Sequence, residues 1–117
     1  MRVGVFTALL ADLPLDKVLA KLKAMGVDTV ELGTGNYPGD PHCKLSMLND
    51  PKALEEFKKK LDDNGFTISA LSCHGEPLHP NPEIARKHQD VNCQTILLAE
   101  KLGVPVVIDF SGCPGDN

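Results

Sequence analysis

The chain has 117 residues, 42% of them apolar, with 4% aromatic side chains, no Trp and a net charge of −4. That is enough for one domain with an aliphatic core. With Arg2 and Arg86 as its only arginines, it is poorly equipped to bind phosphate backbones, so nucleic-acid binding is disfavoured. No apolar run approaches the roughly 18 residues a membrane helix needs, so no membrane partner is expected.

A first strand is expected over residues 3–7, with no signal peptide before it. Pro14 suits the first turn of a helix. Leu15, Val18, Leu19, Leu22 and Met25 recur at helical spacing and give that helix one apolar face. Gly26 is expected to end it in a left-handed cap, and residues 27–33 form the second strand. After a loop over 34–49, Asp50-Pro51 is an N-cap followed by Pro at the first helical position. Ala53, Leu54, Phe57 and Leu61 make the buried stripe of the second helix, and Gly65 stops it.

The third strand, 67–71, runs into Leu71-Ser-Cys-His-Gly-Glu-Pro-Leu-His-Pro80, a loop with a thiol, two imidazoles and a carboxylate. Asn81-Pro82 then opens a third helix whose stripe is Ile84, His88, Val91, Thr95, Leu98, Ala99 and Leu102, ending at Gly103. A fourth strand is expected over 104–110, followed by a loop over 111–117. The four cysteines, Cys43, Cys73, Cys93 and Cys113, contain no CxxC pair. They read as free thiols of a cytoplasmic protein.

The pattern repeats. Leu22-Lys-Ala-Met-Gly-Val-Asp-Thr-Val-Glu-Leu32, Leu61-Asp-Asp-Asn-Gly-Phe-Thr-Ile-Ser-Ala-Leu71 and Ala99-Glu-Lys-Leu-Gly-Val-Pro-Val-Val-Ile-Asp109 echo one another, with stop glycines 39 and 38 residues apart (26, 65, 103). Helix, glycine, buried strand and polar loop in repetition predict parallel strands with right-handed crossovers. The expected fold is α/β: the first four strands and three helices of a (β/α)8 TIM barrel, with its site at the C-terminal ends of the strands. An eight-stranded barrel takes about 250 residues. The chain therefore reads as the N-terminal half of one such domain, spanning 1–117 and truncated after the fourth strand. A half that pairs with another copy and a complete small doubly wound domain are the other two arrangements.

Gly26-Val-Asp-Thr-Val-Glu-Leu-Gly33, Leu71-Ser-Cys-His-Gly75 with Pro77-Leu-His-Pro80, and Val106-Val-Ile-Asp-Phe-Ser-Gly112 together resemble the N-terminal half of the sugar phosphate isomerase/epimerase family. These are the xylose-isomerase-like TIM barrels, which include endonuclease IV. The resemblance implies a sugar or polyol isomerase or epimerase that moves a proton next to a carbonyl with the help of a divalent metal (Mn, Mg, Co or Zn). It implies that the metal ligands come from the last four strands, so no metal site is expected in this chain. A small sugar or sugar phosphate is the expected substrate. An endonuclease-IV-like nuclease, a lyase or dehydratase of similar polyols, and a non-catalytic half-barrel that only assembles with a partner are the alternatives.

Four residues, His74, Glu31, Asp109 and Phe6, are the main candidates for substrate contact, with Thr7 as a further polar contact. His74, on the loop after the third strand, can donate and accept near neutral pH and is the candidate acid/base. In the endonuclease branch a histidine of this region is a metal ligand. Glu31 lies between Val30 and Leu32. If those two face the helices, alternation turns Glu31 into the barrel. The same reasoning, with Val106, Ile108 and Phe110 on one side, sends Asp109 inward with Val107 and Ser111. Phe6 would form an apolar wall, with Thr7 as a polar contact beside it. His79 reads as a loop-positioning group and His88 as a satisfied core histidine. His74, Glu76 and His79 follow no dedicated metal spacing. Residues 33–39 resemble a phosphate loop only superficially, because no helix opens directly after them.

An open half-barrel face with two unpaired edges favours self-association. A polypeptide of these residues alone is therefore expected to associate, and a compact soluble monomer in sedimentation would contradict that.

Overall fold

The computed structural model describes residues 1–115, and the end of the last loop, residues 116–117, lies outside the described residues. Four strands, β1 (Val5–Phe6), β2 (Thr29–Gly33), β3 (Thr67–Ser72) and β4 (Val107–Ile108), alternate with three helices, α1 (Leu15–Ala24), α2 (Pro51–Asn64) and α3 (Pro82–Leu102). The strands pair in parallel in the order β1-β2-β3-β4. This is the expected opening portion of a (β/α) barrel. Short 3-10 turns, Thr7–Leu10 and Leu45–Asn49, interrupt the loops after β1 and β2. Among the described residues no helix is long and apolar enough to cross a membrane.

Local chemistry sets the helix ends. Asp50 accepts the N–H of Ala53 at 3.0 Å and Asn81 accepts that of Glu83 at 2.9 Å, each followed by Pro at the first helical position. The repeat has a structural counterpart at the other end. Val27, Phe66 and Val104 donate back to Leu22, Leu61 and Ala99 at 3.0, 2.9 and 2.9 Å. The intervening glycines, Gly26, Gly65 and Gly103, adopt φ values of 76, 74 and 68°. Each unit thus closes its helix in the same six-residue hydrogen-bonded loop before its strand begins.

That closure explains why two strands start later than expected. Residue 27 and residue 104 still belong to helix caps, and Pro105 has no N–H for a ladder. β1 and β4 are short as well because each lies at a sheet edge with one neighbour. Thr7 leaves the sheet for a 3-10 turn.

One core fills the space between sheet and helices. It joins Val18, Leu19 and Leu22 of α1, Val30 and Leu32 of β2, Leu54, Phe57 and Leu61 of α2, Leu71 of β3, and Leu98 and Ala99 of α3. Two apolar members of the expected helical stripes are exposed: Met25 at 66% and Ile84 at 37%. Both sit at helix ends, where the stripe runs past the edge of the sheet.

Leu71 is fully buried in this core. Leu71→Ala is expected to cost about 2–5 kcal/mol. Ile84→Ala should stay within about 0.5 kcal/mol. Urea midpoints of the two variants check the contrast.

Candidate functional site

The register of three strands decides which side chains meet. Leu32 pairs with Leu71, and Leu71 with Val107, in a row that faces the helices. Alternation then places Glu31, Ser72 and Ile108 on the opposite, inward face. Phe6 is the pairing partner of Glu31 and lies on that face with it. Glu31 is half-buried, and its carboxylate accepts the hydroxyl of Ser72 on the neighbouring strand. A bulge opposite Val30 and Glu31 shifts the β2–β3 register and brings these two groups together.

His74 lies two residues beyond Ser72, and Phe110 two beyond Ile108, the pairing partner of Ser72. Their rings stack with centroids 4.4 Å apart and planes inclined by 9°. Phe6 meets His74 edge-on, with centroids 6.0 Å apart at 72°. His74 is therefore packed between two aromatic rings on the inward face. Among the described residues no hydrogen bond ends on either of its ring nitrogens, so both remain available to a ligand.

The other three histidines are committed to the protein. His42, buried in the loop after β2, contacts the Thr7 hydroxyl through Nδ1 at 2.9 Å and the Leu13 carbonyl through Nε2 at 2.8 Å. Thr7 accordingly turns away from the inward face, against the expectation of a pocket contact. His88 accepts the Glu76 N–H at Nδ1 at 2.7 Å and packs edge-on against Tyr37, as a satisfied histidine should. His79 accepts the Asn81 N–H at 2.9 Å, and its Nε2 lies 3.8 Å from the Glu76 carboxylate.

Asp109 departs from expectation. It shares the parity of Val107, which packs on the core, and not that of the inward residues. Its Oδ1 accepts the N–H groups of Gly75 and Phe110, both at 2.8 Å, and its Oδ2 accepts Asn92 Nδ2 of α3 at 2.7 Å. The expected substrate contact is thus a carboxylate turned to the helix side and occupied by three protein donors. Phe110 takes the inward place instead. Strand β4 is apolar on both faces, so its composition alone carries no phase; pairing with β3 supplies it.

The loop after β2 braces this edge. Thr34 N–H donates to Ser72 O, Asn36 Nδ2 to Cys73 O and Tyr37 N–H to His74 O, at 2.9, 2.8 and 2.9 Å. These donors are spent on β3 and are not gathered for a phosphate. Gly75 makes the close approach possible, since a Cβ there would lie 2.6 Å from Asn36 Nδ2. Among the described residues no three His, Cys, Asp or Glu groups converge closely enough to hold a metal ion.

The sequence profile described as xylose isomerase-like TIM barrel matches residues 19–117. The uncharacterized protein YfiH of Bacillus subtilis (strain 168) is 36% identical over 115 residues, which make up 97% of this chain and 36% of that protein. The crystal structure of D-psicose 3-epimerase in the presence of D-fructose superposes with a TM-score of 0.61 at 13% identity, over 93% of this chain and 37% of that one. That of protein SMc04130 from Sinorhizobium meliloti 1021 superposes with a TM-score of 0.58 at 15% identity, over 92% and 35%. At these identities the two structures show the shared fold. The chain spans little more than a third of the length of these relatives.

The thiols divide by environment. Burial, and then the Asp40 carboxylate, push the Cys43 thiol up to about 12. Burial also raises Cys73, with Asp109 adding to it against hydrogen bonds from Thr95 and Asn92. A raised thiol favours the folded state below its ordinary value of 9.0, and for Cys43 that contribution is lost as pH climbs toward about 12. Brief alkylation at about pH 8 is expected to label the exposed Cys93 and Cys113 and to spare Cys43 and Cys73. Peptide mass spectrometry, with a denatured control, checks this.

Proposed function

The chain belongs to the xylose isomerase-like TIM-barrel family, and from that premise we propose that it forms the substrate-facing edge of an isomerase or epimerase acting on a small sugar or polyol. The observation that carries this is His74, held at the C-terminal end of β3 between Phe6 and Phe110 with both ring nitrogens uncommitted among the described residues. That the D-psicose 3-epimerase structure shares the fold agrees with it.

Interconverting such sugars requires removal of a proton beside a carbonyl and stabilisation of the resulting oxyanion. His74 suits the stabilising role, because its N–H can donate to a carbonyl or hydroxyl oxygen and the same ring can accept from a hydroxyl. Phe6 and the exposed part of Phe110 offer an apolar surface for the C–H face of a sugar. Glu31 has one oxygen engaged by Ser72, and its other oxygen can accept a substrate hydroxyl. Asp109, whose carboxylate takes three protein donors, is not counted among the substrate contacts in this reading.

A divalent metal (Mn, Mg, Co or Zn) would polarise the substrate oxygens in a protein of this kind. Among the described residues no three His, Cys, Asp or Glu groups converge on a site for it, and in this reading its ligands come from outside the chain. The inward face carries the rings of Phe6, His74 and Phe110 beside the Glu31 carboxylate, with Arg2 as its only arginine among the described residues. With the net charge of −4, this favours a neutral sugar over DNA.

The full-length polypeptide containing this chain is expected to exchange the proton next to the carbonyl of a ketose or aldose for solvent deuterium, read by NMR over a panel of pentoses and hexoses. His74→Ala should lower kcat/KM by about 10²–10⁴ while leaving bound metal, measured by elemental analysis, unchanged. Failure of every sugar to exchange would sink the reading. Loss of metal in the variant would place His74 among the ligands, as in the endonuclease arrangement.

A further inference from the structure

We propose that Asp109 is a positioning residue that sets the His74–Phe110 stack by clamping the two backbones that carry it. The proposal rests on His74 being the substrate-facing group. Oδ1 of Asp109 accepts two N–H groups at once, both at 2.8 Å. One belongs to Gly75, the residue directly after His74, and the other to Phe110 itself. A single oxygen therefore fixes the separation of the two segments from which the stacked rings project.

The second oxygen ties the clamp to the scaffold. Oδ2 accepts Asn92 Nδ2 at 2.7 Å, and Asn92 lies one turn before Thr95 on α3. Thr95 is fully buried and shares a 2.7 Å hydrogen bond with Thr34 at the end of β2. The clamp thus links the β3 loop, the β4 loop and the helix between them. Such bonds to an ionised acceptor are about twice as strong as neutral ones, which offsets the partial burial of the carboxylate.

No hydrogen bond joins Asp109 to the imidazole of His74. Its influence passes through backbone position and not through a change in the ring's own partners. Gly75 is part of the device, since a Cβ at this residue would meet Asn36 Nδ2 at 2.6 Å and His88 Cβ at 3.2 Å. A bulkier residue would push the Gly75 N–H off the carboxylate.

The test uses the full-length protein with isotopically labelled histidine. The His74 ring signals are identified by their absence in His74→Gln. In D109A all three bonds are lost. The His74 signals should then move downfield as the ring leaves the shielding face of Phe110, and kcat/KM should fall on the order of ten- to a hundredfold, the scale of a small misplacement. In the D109N/N92D swap the amide oxygen at position 109 still accepts both N–H groups and its NH2 donates to the new carboxylate at position 92. The swap should restore the native signals, and it decides the matter if D109A does not fold. His74 signals unmoved in D109A would overturn the proposal, as would a folded swap that fails to restore them. If the signals move and return as stated but no sugar turns over, the clamp stands and the sugar reading falls. If sugars turn over while the signals ignore position 109, the clamp alone falls.

Discussion

The site depends on the parallel register that pairs Leu32 with Leu71 and Leu71 with Val107. Side chains on a strand alternate between faces, so burying this row against the helices leaves no freedom for the residues between. Ser72 meets the Glu31 carboxylate because both fall on the other parity. His74 meets Phe110 because each lies two residues beyond a paired position, Ser72 and Ile108. Asp109, one step earlier than Phe110, is driven to the helix side by the same rule. A slip of one residue between β3 and β4 would exchange the ring and the carboxylate, and neither the stack nor the clamp would form.

Helix boundaries were legible in the sequence because their causes are local. Asp50-Pro51, Asn81-Pro82 and the three stop glycines need only their own neighbours to act. The inward placement of Glu31 was legible for a similar reason, since Val30 and Leu32 flank a charge and only one phase buries both. Strand β4 offered no such contrast. Val106, Val107 and Ile108 are all apolar, so the expectation took the wrong phase and exchanged the roles of Asp109 and Phe110. The structural role of His42 carried no sequence signal at all. Its two partners, Thr7 and Leu13, lie about thirty residues earlier in a loop without periodicity.

The inward face is chemically mixed. Phe110 is 56% exposed and Val106 is 46% exposed, while the Glu31 carboxylate shares their face. In a closed barrel the interior is filled by layers of such side chains, where an isolated carboxylate would lose its solvation without compensation. The Ser72 hydroxyl already supplies one partner inside the sheet. The sheet thus brings its polar group to that face with part of its hydrogen bonding met, and leaves one carboxylate oxygen to be satisfied by whatever occupies the space.

His74 shows how packing can orient an imidazole without a hydrogen bond to its ring. A histidine fixed by a hydrogen bond has its tautomer chosen by that bond, as at His88, whose Nδ1 is bound to accept the Glu76 N–H. An aromatic contact contributes roughly 0.5–1.5 kcal/mol beyond its buried area, enough to bias the ring plane, and it makes no claim on either nitrogen. Stacked on Phe110 and edged by Phe6, His74 has its orientation set while both ring nitrogens stay open to a ligand. The hydrogen bonds that restrain this geometry fall on the backbone instead, at the N–H of Gly75, one residue after His74, and at the N–H of Phe110 itself, and none of them uses a nitrogen of the His74 ring.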